Sequence, residues 1–117
     1  GGCLSILASL MGTPHFPEIE GKYLLFEDIN EPMYKLDRMF MQLKLGGIFQ
    51  KAEGVILGSF SNIEGGNYRS IVSLLRDFMG NEKPLIINSK IGHCPGKITL
   101  PFNVSAEWDG EKLCFFS

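Results

Sequence analysis

The chain has 117 residues, of which 44% are hydrophobic and 21% charged, with a formal net charge of -2, the profile of one ordinary globular domain. Lysine and arginine are scattered, so no basic face invites nucleic acid, and runs such as Val55-Ile56-Leu57 are far too short to span a membrane. No positive stretch precedes an apolar one at the start, so no secretory signal is read there, and a cytoplasmic location is expected.

Residues 1–11 carry Leu4, Leu7 and Met11 on a helical period and stop at Gly12-Thr13-Pro14. The pattern predicts a short helix, then a loop containing Pro14, Pro17, Glu18 and Glu20. Residues 22–26 read as a strand with little alternation, hence one buried on both faces. A second helix follows: Pro32 suits its first turn, Met33, Leu36, Met39, Phe40 and Leu43 form one stripe, and Gly46-Gly47 ends it. Residues 54–60 form another short apolar strand. After Gly65-Gly66 comes an amphipathic helix with Ile71, Val72, Leu74, Leu75 and Phe78 inward, ending near Gly80-Asn81. Residues 84–88 give the third apolar strand, and this alternation of strand and helix argues parallel pairing with right-handed crossovers. Three short strands are then expected, over 97–100, 103–108 and 112–116, the last two joined by a hairpin at Asp109-Gly110, with Trp108 packing beside it. The expected fold is α/β: a mixed sheet with parallel core strands, two main helices and a smaller antiparallel layer.

Cys3, Cys94 and Cys114 are odd in number and widely spaced, unlike a disulfide scaffold. No C-x-x-C occurs and His15 lies far from His93, so reduced thiols, no metal site and no cofactor are expected.

Open α/β sheets place ligands at the carboxyl ends of their strands. The first core strand ends in Phe26-Glu27-Asp28, and the third runs into a loop that carries His93. In one parallel sheet, Glu27 and His93 emerge at the same edge. A carboxylate that accepts from an imidazole N–H fixes its tautomer and leaves the other nitrogen free to take a proton. Blander roles compete: Asp28 or Asn30 as the cap of the second helix, and a lone histidine as a structural loop residue. No serine sits in a G-x-S-x-G elbow, so no residue advertises itself as a nucleophile. Tyr34, Asp37 and Arg38 read either as contacts to another domain or substrate, or as paired surface charges.

The stretches "GGCLSILASLMGTPHFP", "LLFEDINEPMYKLDRMFMQLKLGGIF", "GVILGSF" and "IGHCPGKITLPFNVSAEWDG" follow in order the pattern of the C-terminal domain of LD-carboxypeptidases. These are serine peptidases of murein recycling, related to the microcin C self-immunity peptidases. The resemblance covers essentially the whole chain, 1–117, and implies a fold of the swivelling β/β/α type. It implies that Glu27 and His93 are catalytic, and that the serine comes from an N-terminal nucleophile domain placed before Gly1. The expected partners are that domain, a murein peptide and a second copy in a homodimer. The expected reaction is release of terminal D-alanine from murein tetrapeptide, this chain alone being inactive. The rivals are a microcin-immunity-type amide hydrolase and a non-catalytic binding module. Cys3 stands where the family usually has asparagine, and Cys94 follows the histidine where a small polar residue is frequent.

Overall fold

The structure, a computed structural model, describes residues 1–116. Four strands, β1 (Gly2–Cys3), β2 (Tyr23–Ile29), β3 (Gly54–Ser61) and β4 (Leu85–Ile87), form one parallel sheet in the order β1-β2-β3-β4. Helices α1 (Leu4–Leu10), α2 (Met33–Leu45), α3 (Ile48–Lys51) and α4 (Tyr68–Met79) connect them. Strands that neighbour in chain order, joined by crossovers of one hand, put their helices on one face of the sheet. The main core is accordingly a single cluster. It joins Leu24, Phe26, Val55, Leu57 and Phe60 of the strands to Leu4, Leu36, Phe40, Leu43, Phe49, Ile71 and Leu75 of the helices. Phe26 stands edge-on to Phe40 at 5.5 Å and to Phe49 at 6.3 Å, the arrangement that ring quadrupoles favour.

The second face of the sheet carries a smaller cluster, Leu25, Ile56 and Ile91, with Leu100 and Leu113 packed on it. The chain after β4 covers it, ending in the antiparallel hairpin β5 (Ser105–Trp108) and β6 (Leu113–Phe116). Asp109 Oδ1 accepts the amides of Glu111 and Lys112 at 2.8 and 2.7 Å, and these donors hold its carboxyl below the usual range. Among the described residues no helix is long and apolar enough to cross a membrane.

The expected elements appear, joined by the unexpected short helix α3, and they differ elsewhere too. Residues 1–11 are not all helix: Gly2 and Cys3 pair with Phe26 and Glu27 as an edge strand before α1 begins. β2 continues through Glu27 and Asp28 to Ile29, so the two acids lie within the strand. The strand expected over 97–100 does not form. Its flanks are Pro95 and Pro101, which donate no ladder bond, and the Ile98 amide is taken by the Lys90 carbonyl at 2.9 Å. Neither Asp28 nor Asn30 caps α2, whose cap residue is Pro32. Asp28 Oδ2 instead accepts the Ser5 amide at 2.9 Å in the first turn of α1, and Asn30 accepts from Asn62 Nδ2 at 2.7 Å.

One irregularity positions the site. The β2–β3 register steps between Phe26 and Asp28, where Leu57 and then Phe60 are the partners, so β3 carries an extra residue there. The Tyr68 hydroxyl donates to the Leu57 and Gly58 carbonyls at 3.1 and 2.8 Å, and burial pushes its pKa up to about 12. Tyr68 therefore holds the bulge from the helix side as a neutral donor. The Leu57 carbonyl also accepts the Asn88 amide at 2.9 Å, so replacing Tyr68 by phenylalanine leaves chiefly the Gly58 carbonyl short of a donor and should cost about 1–3 kcal/mol of stability, measured by denaturant unfolding.

Candidate active site

Successive side chains of a strand point to opposite faces, and β2 uses this to separate its two acids. Phe26 packs into the helix-side core and Asp28 caps α1 on that same side. Leu25 belongs to the opposite cluster, and Glu27 shares its face. There Glu27 is only 6% exposed, and a buried carboxylate needs donors.

His93 provides both. Its Nδ1 lies 2.7 Å from Glu27 Oε2, and its own backbone amide donates to the same oxygen at 3.3 Å. A carboxylate can only accept, so Nδ1 carries the proton and Nε2 is left with its lone pair. The partners differ sharply in burial: the Glu27 side chain is 7% exposed and that of His93 61%. An enclosed carboxylate thus holds the ring of a largely exposed imidazole.

The loop that brings His93 here is stitched to the end of β3. The Asn88 amide donates to the Leu57 carbonyl at 2.9 Å, and the Ser59 amide to the Ile91 carbonyl at 2.7 Å. Asn88 Oδ1 accepts the Lys90 amide at 3.0 Å, closing a turn, while the buried Ile91 anchors the loop in the smaller core. Gly92 then adopts φ +111, and a Cβ there would stand 2.7 Å from Glu27 Oε2 and 2.8 Å from Ser59 Oγ. Only glycine lets the backbone pass this close to the carboxylate.

The two residues singled out in the sequence are therefore in contact, at one edge of one sheet. No described serine is bonded to His93, and Ser117 lies outside the described residues. Ser59 and Gly92 lie in two of the stretches that carry the resemblance, "GVILGSF" and "IGHCPG", but the sequence assigns no role to either: their importance comes from the bulge and from a close approach, which leave no periodic signal. Cys3 pairs in register with Glu27, and Cys94 follows His93, its Sγ 3.8 Å from the Gly92 carbonyl. The Cys3 thiol itself lies 3.1 Å from Ser5 Oγ. The three cysteines form no disulfide, and among the described residues no three His, Cys, Asp or Glu side chains gather as a metal site would require. Arg38 lies over the exposed Tyr34 ring at 5.1 Å, a stacked surface pair on α2.

The family model of the LD-carboxypeptidase C-terminal domain matches residues 1–108. The chain belongs to that family. A putative carboxypeptidase of Streptomyces coelicolor is 40% identical over 113 residues, which span 95% of this chain and 36% of that protein. A probable murein peptide carboxypeptidase of Bacillus subtilis is 37% identical over 110 residues, 91% of this chain and 34% of its own length. The crystal structure of muramoyltetrapeptide carboxypeptidase from Oxalobacter formigenes superposes with a TM-score of 0.78 at 36% identity, covering 91% of this chain and 39% of that one. This LD-carboxypeptidase C-terminal domain spans about a third of the length of the curated relatives it matches.

Because Gly92 has no room for a side chain, Gly92→Ala should push Glu27 away from Nδ1. The strained φ alone costs about 1–3 kcal/mol. The expected outcome is a destabilised fold and loss of the downfield Nδ1 proton signal of His93 by NMR.

Proposed function

We propose that this domain supplies the glutamate and histidine of a Ser-Glu-His triad. The enzyme is a serine LD-carboxypeptidase that releases terminal D-alanine from murein tetrapeptide, acting on murein fragments in the cytoplasm. The single observation that carries the reading is the 2.7 Å contact between the buried Glu27 carboxylate and Nδ1 of an exposed His93. The names of the relatives, carboxypeptidases of murein peptides, support the substrate class. The serine and the oxyanion donors come from a nucleophile domain.

The chemistry follows from where the proton can go. Nε2 of His93 takes the serine proton as the oxygen attacks the carbonyl before the terminal D-alanine. The imidazolium so formed is stabilised by Glu27, which stays ionised and holds the ring. Nε2–H then gives its proton to the departing D-alanine nitrogen, and the C–N bond breaks to leave an acyl-serine. Water enters, gives a proton to Nε2 and attacks the ester, and the same proton returns to the serine as the shortened peptide leaves. Every transfer uses Nε2, so the side of the ring that faces Glu27 never turns over.

An enclosed carboxylate suits this role because it pairs with charge that develops only in the transition state. A core histidine would instead have buried its ring. Tyr34, Met41 and Leu45, exposed on one outer stripe of α2, support an assembly surface for the nucleophile domain or for a second copy.

The test joins this chain to a nucleophile domain of the family and measures D-alanine release from murein tetrapeptide. His93→Ala should lower kcat by about 10⁴-fold or more, and Glu27→Ala by about 10³–10⁴-fold. The chain on its own should release none. Release by the isolated chain, or full activity in His93→Ala, would sink the proposal.

A further inference from the structure

Ser59 is the one residue among those described whose buried side-chain oxygen or nitrogen has no hydrogen-bond partner. It is 6% exposed, and an orphaned buried hydroxyl is a feature that a fold sheds unless something uses it. Its direction is a product of the bulge. Val55 and Leu57 point to the helix side and Ile56 to the other, so simple alternation would turn residue 59 toward the helices. The extra residue in β3 reverses the phase, and Phe60 takes the core position. Ser59 is thereby re-aimed to the face of Glu27, as bulges beside active sites do.

Its oxygen and Glu27 Oε2 lie 2.8 and 2.7 Å from the single point where a Cβ on Gly92 would stand. Hydroxyl and carboxylate thus border one small space that glycine leaves clear. Enclosed there, on the Glu27 side of the imidazole, Ser59 is no nucleophile. The carboxylate has capacity left. Both donors from His93 fall on Oε2, leaving lone pairs available for a third.

We infer that Ser59 is a positioning residue for Glu27: its hydroxyl donates to the carboxylate as His93 takes up the nucleophile's proton. The inference rests on the triad reading above. A hydrogen bond to a carboxylate paired with an imidazolium is worth more than one in the resting pair. It therefore favours the transition state, and it keeps the carboxylate from rotating off Nδ1.

The experiment uses the enzyme assembled from this chain and a family nucleophile domain. Ser59→Ala should lower kcat about tenfold with KM changed less than about twofold. Its melting temperature should hold or rise, since an unpartnered buried hydroxyl has been removed. Ser59→Thr, which keeps the hydroxyl, should recover most of kcat. In the 117-residue chain, Ser59→Ala should also shift the Nδ1 proton resonance of protonated His93 upfield. Wild-type kcat in Ser59→Ala, a loss of kcat that tracks a lowered melting temperature, or a threonine enzyme as slow as the alanine one would each overturn the inference. Glu27→Gln separates the two readings. If it retains full activity, the triad itself fails. If it is inactive while Ser59→Ala is fully active, only the role of Ser59 falls.

Discussion

A carboxylate enclosed at the end of a parallel strand must find donors or go neutral, and the architecture around β2 is built on that constraint. Burial of an uncompensated ionised group costs several kcal/mol, more than a loop contributes by ordinary packing. Glu27 meets the demand with two N–H groups from one residue, His93. The loop from Asn88 to His93 is therefore held from both ends, by the bonds that tie it to β3 and by the carboxylate it serves. Stability and chemistry here are one arrangement: the contact that satisfies the buried charge also sets the imidazole tautomer.

Backbone irregularity supplies the rest of the geometry. The bulge in β3, braced by the Tyr68 hydroxyl, keeps Phe60 in the aromatic core and leaves Ser59 beside the carboxylate. The positive φ of Gly92 brings the following residue over the strand. Asp28, one position from Glu27, faces the other way and caps α1, which ties the edge strand β1 and its Cys3 to the same region. Two adjacent acids in one strand thus do unrelated work, and the period of two decides which does which.

Much of this was legible in the residues. The unbroken apolar runs of β2 and β3 and the periodic stripes of α2 and α4 are strong signals, because those strands are buried on both faces and each helix buries one. The meeting of Glu27 and His93 followed from parallel pairing, since strands of one direction deliver their ends to one edge. Other features left no such trace. β1 is two residues long, too short for a pattern. The stretch over 97–100 has strand-like composition, yet prolines and a bond to Lys90 keep it out of any ladder. The capping role of Asp28 depends on which face it takes, which is fixed only once β2 is seen to run through the acids. Ser59 depends on a register shift, a property of two strands together.

On the proposed reading, Glu27 and the exposed His93 are the proton-handling pair, and a nucleophile from a second domain stands on the Nε2 side. An active-site-directed fluorophosphonate, which acylates only an activated serine, tests this division of labour most directly. Applied to the assembled enzyme and followed by peptide mass spectrometry, it should label one serine in the nucleophile domain, at a rate that collapses in His93→Ala. Labelling of a serine within this chain, or labelling that proceeds unchanged without His93, would contradict the account.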